Sequence, residues 1–243
     1  MFEQLVSAAA NDIIQLEEQL PRIISEIDAR LQSVSVQSLH EVEKAFAAAL
    51  NATTPTTNEE LGQLLSYTRN EAAKCVMDLR KIERWIVLNI PKVEDGNNFG
   101  VAVQMEINKM VVERRTKVKE LFDKLADYHK DRGALLKEMA CKTLADNIKS
   151  TTKLVDDETK NGEESKATKT STKTHSEQKE TTPMVIPDQV ASVVALDVGW
   201  YFHLVFTLET VRDAYVACVD CITKNRAKLE RPKGDGAGGM NMF

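Results

Sequence analysis

Residues 58–86, NEELGQLLSYTRNEAAKCVMDLRKIERWI, show an uninterrupted helical repeat. Apolar and small residues recur at alternating intervals of four and three, at Leu61, Leu65, Thr68, Ala72, Cys75, Leu79, Ile82 and Ile86. This heptad spacing places them on one face of a helix, where they pack against neighbouring helices. Asn58 is a suitable N-cap for this helix. Pro91 should end it because proline restricts the preceding residue and lacks a backbone N–H.

Three further stretches show helical periodicity: 2–31, 101–149 and 188–229. The last repeats the three-four spacing at Tyr201, Leu204, Leu208, Val211, Tyr215, Cys218 and Ile222. Pro21 should kink or break the first helix. We find no period-two alternation typical of strands. The sequence therefore predicts an all-α fold, an antiparallel four-helix bundle of long helices.

We expect one domain, residues 1–243. Its segments outside the long helices are a connector at 32–57, a loop at 91–100, an insert at 150–187 and a tail at 234–243. The connector includes a candidate short helix, Leu39–Leu50. The insert consists largely of Lys, Glu, Thr and Ser, so it has too few apolar side chains to fold and should be disordered.

Composition excludes several classes of partner. Hydrophobic residues make up 42% of the chain and charged residues 28%, which is enough for a large core and a charged surface. The net charge of −5 leaves no basic face for nucleic acid. No uninterrupted run of about 18 apolar residues occurs, so we expect no membrane span.

Two arginines fall within the apolar stripe of the third helix. We expect the stems of Arg114 and Arg132 to pack against the core while their charged ends reach solvent.

The cysteines indicate a reducing compartment. Four are scattered through helical patterns, at Cys75, Cys141, Cys218 and Cys221. The last two form a Cys-x-x-Cys pair on a helix, but no second pair completes a zinc site. We therefore expect no metal, no cofactor and no catalytic residues, and hence no enzyme. The expected location is the cytoplasm, with the nucleus as an alternative.

Two segments have unusual compositions. In the loop, two glycines bracket paired asparagines, and both residue types tolerate the backbone conformations that hold a turn in a fixed shape. The plain interpretation is a turn anchored by Phe99. In the tail, a glycine-rich stretch should span about 13 Å as a random coil. The tail is either a frayed terminus or a tether for a terminal carboxylate that seeks a basic pocket.

Residues 90–104, IPKVEDGNNFGVAVQ, closely resemble the activation-loop segment of the 11S proteasome activators, the REG family. The end of the last helix, 212–233, resembles the corresponding part of that family through RDAY, KN and KLERPK. A weaker match is LPRIISEID, residues 20–28.

The resemblance implies a homo-heptameric ring that docks on the α-ring of the 20S proteasome and opens its gate without ATP. It assigns the activation loop to Glu94, Asp95, Gly96, Asn97, Asn98, Phe99 and Gly100. It assigns the proteasome-binding tail to Met240, Asn241, Met242 and Phe243. The alternative hypothesis is an oligomeric helical scaffold that presents the insert to partners.

Two features depart from the family pattern. The chain ends in Phe243, where animal members typically end in tyrosine. The insert lies between the third and fourth helices, whereas the family's charged insert usually joins the first two. Because helix ends alternate in such a bundle, we expect the insert on the side away from the proteasome.

Overall fold

The computed structural model describes residues 1–34, 38–50, 58–92, 98–138 and 187–233. Within these ranges the regular elements are helices, and no strand occurs. The helices are α1 (Phe2–Val34), α2 (Leu39–Ala49), α3 (Glu59–Leu88), α4 (Phe99–Lys124), α5 (127–138) and α6 (Pro187–Glu230).

The four long helices α1, α3, α4 and α6 form an antiparallel bundle, which confirms the predicted fold class. At one end, Asp12 near the start of α1 pairs with Arg84 near the end of α3. At the other, the Tyr201 hydroxyl near the start of α6 donates to the Val34 carbonyl at the end of α1. We call the end that holds Pro91 and Pro232 the loop end.

The core lies along α3 and α6, each of which packs against both α1 and α4. Every heptad position predicted in residues 58–86 and in 201–222 is buried. Burying one such leucine or isoleucine contributes about 1.5–3 kcal/mol. Burial of the heptad residues thus stabilises the bundle along the length of α3 and α6.

The helix boundaries follow local chemistry. Asn58 caps α3, and its side-chain oxygen accepts the Leu61 N–H at 3.1 Å. Of the kink or break predicted at Pro21, a break does not occur, because Pro21 lies within the continuous helix α1. Leu20 and Ile27, on either side of it, are both buried. The predicted third helix is interrupted at 125–126, between α4 and α5.

Arg132 differs from its prediction, because its guanidinium is buried instead of reaching solvent. Its Nε donates to Asp197 Oδ1 at 3.0 Å, and the Tyr128 hydroxyl donates to the same oxygen at 3.0 Å. Burial raises the pKa of Asp197, and Arg132 opposes that shift. The arginine therefore joins α5 to α6 through a buried ion pair.

The α6 helix is more apolar than the absence of an uninterrupted apolar run in the sequence suggested. It contains an 18-residue window of mean hydropathy 1.5, so by length and composition alone it is long enough and apolar enough to cross a membrane. The core helix of a soluble bundle passes the same test, and much of this window is buried against the other helices.

Candidate functional site

The two predicted functional segments leave the bundle side by side at the loop end. Lys92 is the last described residue before residues 93–97 of the loop, and Lys233 is the last described residue before the tail. The Lys233 ammonium group donates to the Lys92 carbonyl at 3.3 Å. Of the predicted site residues, Asn98, Phe99 and Gly100 are described, whereas 94–97 and 240–243 lie outside the described residues.

Gly100 lies against the backbone of the chain that leaves α6. A Cβ atom built there would lie 2.0 Å from the Pro232 carbonyl oxygen and 2.7 Å from Pro232 Cα. These distances are far inside van der Waals contact, so only glycine fits between the α4 backbone and the chain leaving α6. Phe99 and Gly100 already form the first turn of α4, which begins two residues before the predicted Val101.

Gln104 joins three helices from a fully buried position. Its Nε2 donates to the Asn89 carbonyl at 3.1 Å and to the Leu229 carbonyl at 2.8 Å. Those carbonyls belong to the C-cap of α3 and the last turn of α6, where helices leave their C=O groups without intrahelical partners. One amide group therefore connects the start of α4 to the ends of both neighbours.

Phe99 faces outward and is 63% exposed. The Lys228 ammonium group lies 4.6 Å from the centroid of its ring, within cation–π distance. The plain interpretation of the sequence expected Phe99 to anchor the loop. Because its side chain is exposed, Phe99 does not anchor the loop in the core. It instead presents an aromatic surface next to the last turn of α6.

Arg226 fixes the last turns of α6 laterally. Its Nη1 donates to both Glu17 carboxylate oxygens on α1, and its Nε donates to Glu230 at 2.7 Å. The guanidinium also lies over the Trp85 ring on α3. The hydrogen bonds to Glu17 are the largest cause of the raised pKa of Arg226.

The described residues at the loop end form contacts between chain segments. Among the described residues, no cluster of three or more His, Cys, Asp or Glu side chains could hold a metal ion. Burial raises the pKa of Cys218 to about 12, so this thiol is unreactive at neutral pH. What the arrangement provides is a fixed relative position for two chain segments.

The sequence identified the segments but not the residues that hold their bases together. Gln104 was a missed signal, because it falls in the apolar register of α4 four residues after Gly100 and three before Ile107. A glutamine at such a position calls for buried partners. Glu17, the partner of Arg226 on α1, is 209 residues away in sequence, and no local pattern indicates that contact.

The described segments on either side of residues 139–186 meet at the opposite end of the bundle. The α5 helix, which precedes the insert, and the start of α6, which follows it, meet at the Tyr128–Asp197 hydrogen bond. This is the end where Val34 meets Tyr201. The insert itself, 150–187, lies outside the described residues except for Pro187, which begins α6.

These observations define a class of protein: a long four-helix bundle in which the base of a loop and the segment that follows the last helix lie together at one end. Comparisons confirm the resemblance of the chain to the 11S proteasome activators. A family model described as "Proteasome activator PA28, C-terminal" matches residues 54–161, which include α3, the loop and α4.

Relatives and solved structures agree with that match. Human proteasome activator complex subunit 3 is 24% identical over 206 residues, which cover 82% of this chain and 64% of that protein. The chain thus spans less than two thirds of the length of the curated relatives it matches.

Among solved structures, the 11S subunit PA28 of the Plasmodium falciparum proteasome superposes with a TM-score of 0.63 at 20% identity, covering 96% of this chain and 92% of that one. A mutated P26 activator complex with an archaeal 20S proteasome gives a TM-score of 0.65 at 13% identity, covering 96% and 95%.

Proposed function

We propose that this chain is a subunit of an ATP-independent activator of the 20S proteasome. Its tails dock on the proteasome α-ring, and its activation loop opens the gate. The observation that carries the proposal is the contact between the bases of the two segments, Gly100 against Pro232 and Lys233 on Lys92. Two segments that must engage one surface together need to leave the activator from one end.

The two segments have different tasks in this proposal. The tail supplies binding energy, and several tails in one ring gain avidity of about 10²–10⁴ over a single tail. The loop contributes to activation only if it contacts the open gate in preference to the closed one. In this proposal the chain acts as a regulator, and the proteasome performs the hydrolysis.

We propose a homo-heptameric ring as the working assembly. Large apolar side chains remain exposed on a single copy, as expected of surfaces that other copies cover. On α6, Phe202 and Phe206 are 37% and 50% exposed and lie one turn apart on the same face. Met77 on α3 and Met105 on α4 are also largely exposed.

The test is to add the purified chain to 20S proteasome and measure hydrolysis of a fluorogenic peptide. We expect stimulation that saturates with activator concentration and needs no ATP. Native mass spectrometry of the same preparation should give seven copies. An assembled particle that binds proteasome without stimulating it would reject the proposal, and an assembled particle without proteasome binding would favour the scaffold alternative.

We propose a cytoplasmic location, with the nucleus as the alternative. The described thiols are free, in keeping with a reducing compartment. Imaging of the tagged full chain distinguishes the two compartments, and a secreted or membrane-bound protein would contradict both.

A further inference from the structure

We infer that Gln104 is a positioning residue that holds the activation loop at a fixed height relative to the base of the tail, so that docking of the tail places the loop for gate opening. The inference rests on the proposed function. It adds a residue that touches neither the proteasome nor the gate.

The first argument is the location of the two hydrogen bonds. The chain enters the loop just after Asn89 and leaves it into α4, while the tail begins just after Leu229. Gln104 bonds both carbonyls from the second turn of α4. One side-chain amide therefore connects the chain that enters the loop, the chain that leaves it and the chain that leads to the tail.

The second argument is that burial alone does not explain a glutamine here. An apolar residue in this register would extend the core from Ile107 and Val111, whereas an amide must be desolvated. The Gln104 Oε1 is also buried and has no hydrogen-bond partner within the part of the chain that the structure describes. Unlike leucine, glutamine donates two directional hydrogen bonds to helix ends. These bonds fix the position of α4 along the bundle axis relative to α3 and α6.

A second contact supports the same geometry independently of the amide. Gly100, one turn before Gln104, touches the Pro232 backbone at a distance that excludes a Cβ. A shift of α4 along the bundle would thus break the Gln104 bonds and separate Gly100 from Pro232. The Gln104 hydrogen bonds and the Gly100–Pro232 contact therefore fix the same position of the loop base relative to the tail base.

The first test substitutes Gln104→Leu, which has similar volume but no donor. Both carbonyls then lose their partner, so the loop stems can relax while the tail sequence that meets the proteasome is unchanged. We expect the affinity for 20S proteasome to stay within about threefold of the parent. Stimulation at saturating activator should fall about tenfold, the equilibrium effect of roughly one buried hydrogen bond.

The second test substitutes Gly100→Ala, with Gly133→Ala as the matched control. A Cβ at Gly133 on α5 meets nothing within 4 Å, so this variant should behave as the parent. Gly100→Ala must displace Pro232, and we expect the same split as for Gln104→Leu: binding retained, maximal stimulation reduced. This second variant keeps the inference testable if one of the two fails to assemble.

Hydrogen exchange on the free protein gives a readout that needs no proteasome. In Gln104→Leu, we expect faster exchange in peptides covering 84–92 and 224–233 and unchanged exchange in 187–197 at the opposite end. Full stimulation by both Gln104→Leu and Gly100→Ala, or equal losses of proteasome binding and stimulation in these variants, would overturn the inference. These results are read relative to the parent chain, whereas failure of the parent to stimulate would instead reject the proposed function.

Discussion

At the scale of single residues, a few polar side chains determine how the helices meet. Asn58 caps α3 as its type predicts. Gln104 and Arg132 occupy core positions and reach partners on other helices. The sequence predicts the first kind of contact because the partner is three residues away. It does not predict the second kind, because those partners are 125 and 65 residues away.

His203 offers a residue-scale test by pH. Its ring stacks edge-on with Trp200, and burial, aided by Lys124, lowers its pKa. A lowered pKa means that the unfolded chain takes up the proton first as pH falls. The stability provided by neutral His203 should therefore be present above about pH 6.5, the ordinary histidine value, and be lost below it.

We expect the urea concentration at the unfolding midpoint of the parent to be lower at pH 5.5 than at pH 7.5. In His203→Gln this decrease should be smaller. Equal slopes in the parent and His203→Gln would contradict this assignment.

At the scale of helices, periodicity predicts the long elements well and their interruptions poorly. The α3 and α6 helices follow their heptads because each apolar residue finds a partner along the core. In α1, the helix continues through Pro21 without a break. The division between α4 and α5 has no proline or glycine at 125–126 to signal it. Helix boundaries thus depend on contacts that a single sequence does not show.

Two substitutions on α3 test the assignment of its buried face. Leu79 is fully buried, whereas Met77, two residues earlier, is 65% exposed. We expect Leu79→Ala to lower the free energy of unfolding by about 2–5 kcal/mol, through lost burial and a cavity. Met77→Ala should change it by less than about 0.5 kcal/mol in a single copy.

Denaturant titration of the dissociated chain measures both effects. A large loss from Met77→Ala without one from Leu79→Ala would mean that the heptad face points outward.

At the scale of the whole molecule, the antiparallel order separates two sets of connections. Those between α3 and α4 and after α6 leave from the loop end, and the α5-to-α6 connection leaves from the opposite end. The sequence predicted this separation through the alternation of helices and the family resemblance. It could not predict that Gly100 and Pro232 touch, because that contact needs the relative height of two helices.

Deleting Asp156–Thr182 tests the separation. Because α5 and the start of α6 meet at the end away from the loop and tail, we expect the deleted chain to stimulate peptide hydrolysis by 20S proteasome to within about threefold of the parent, a barrier change of about RT. Complete loss of stimulation in an assembled deletion variant would place the insert in contact with the docking end.

The central claim is that the loop acts on the gate while the adjacent tail holds the particle in place. The most direct measurement is peptide hydrolysis by 20S proteasome with saturating Asn97→Tyr, alongside its binding and that of a chain lacking Met240–Phe243. We expect Asn97→Tyr to bind as the parent does and to give no stimulation, while the shortened chain does not bind. Normal stimulation by Asn97→Tyr, or normal binding by the shortened chain, would contradict it.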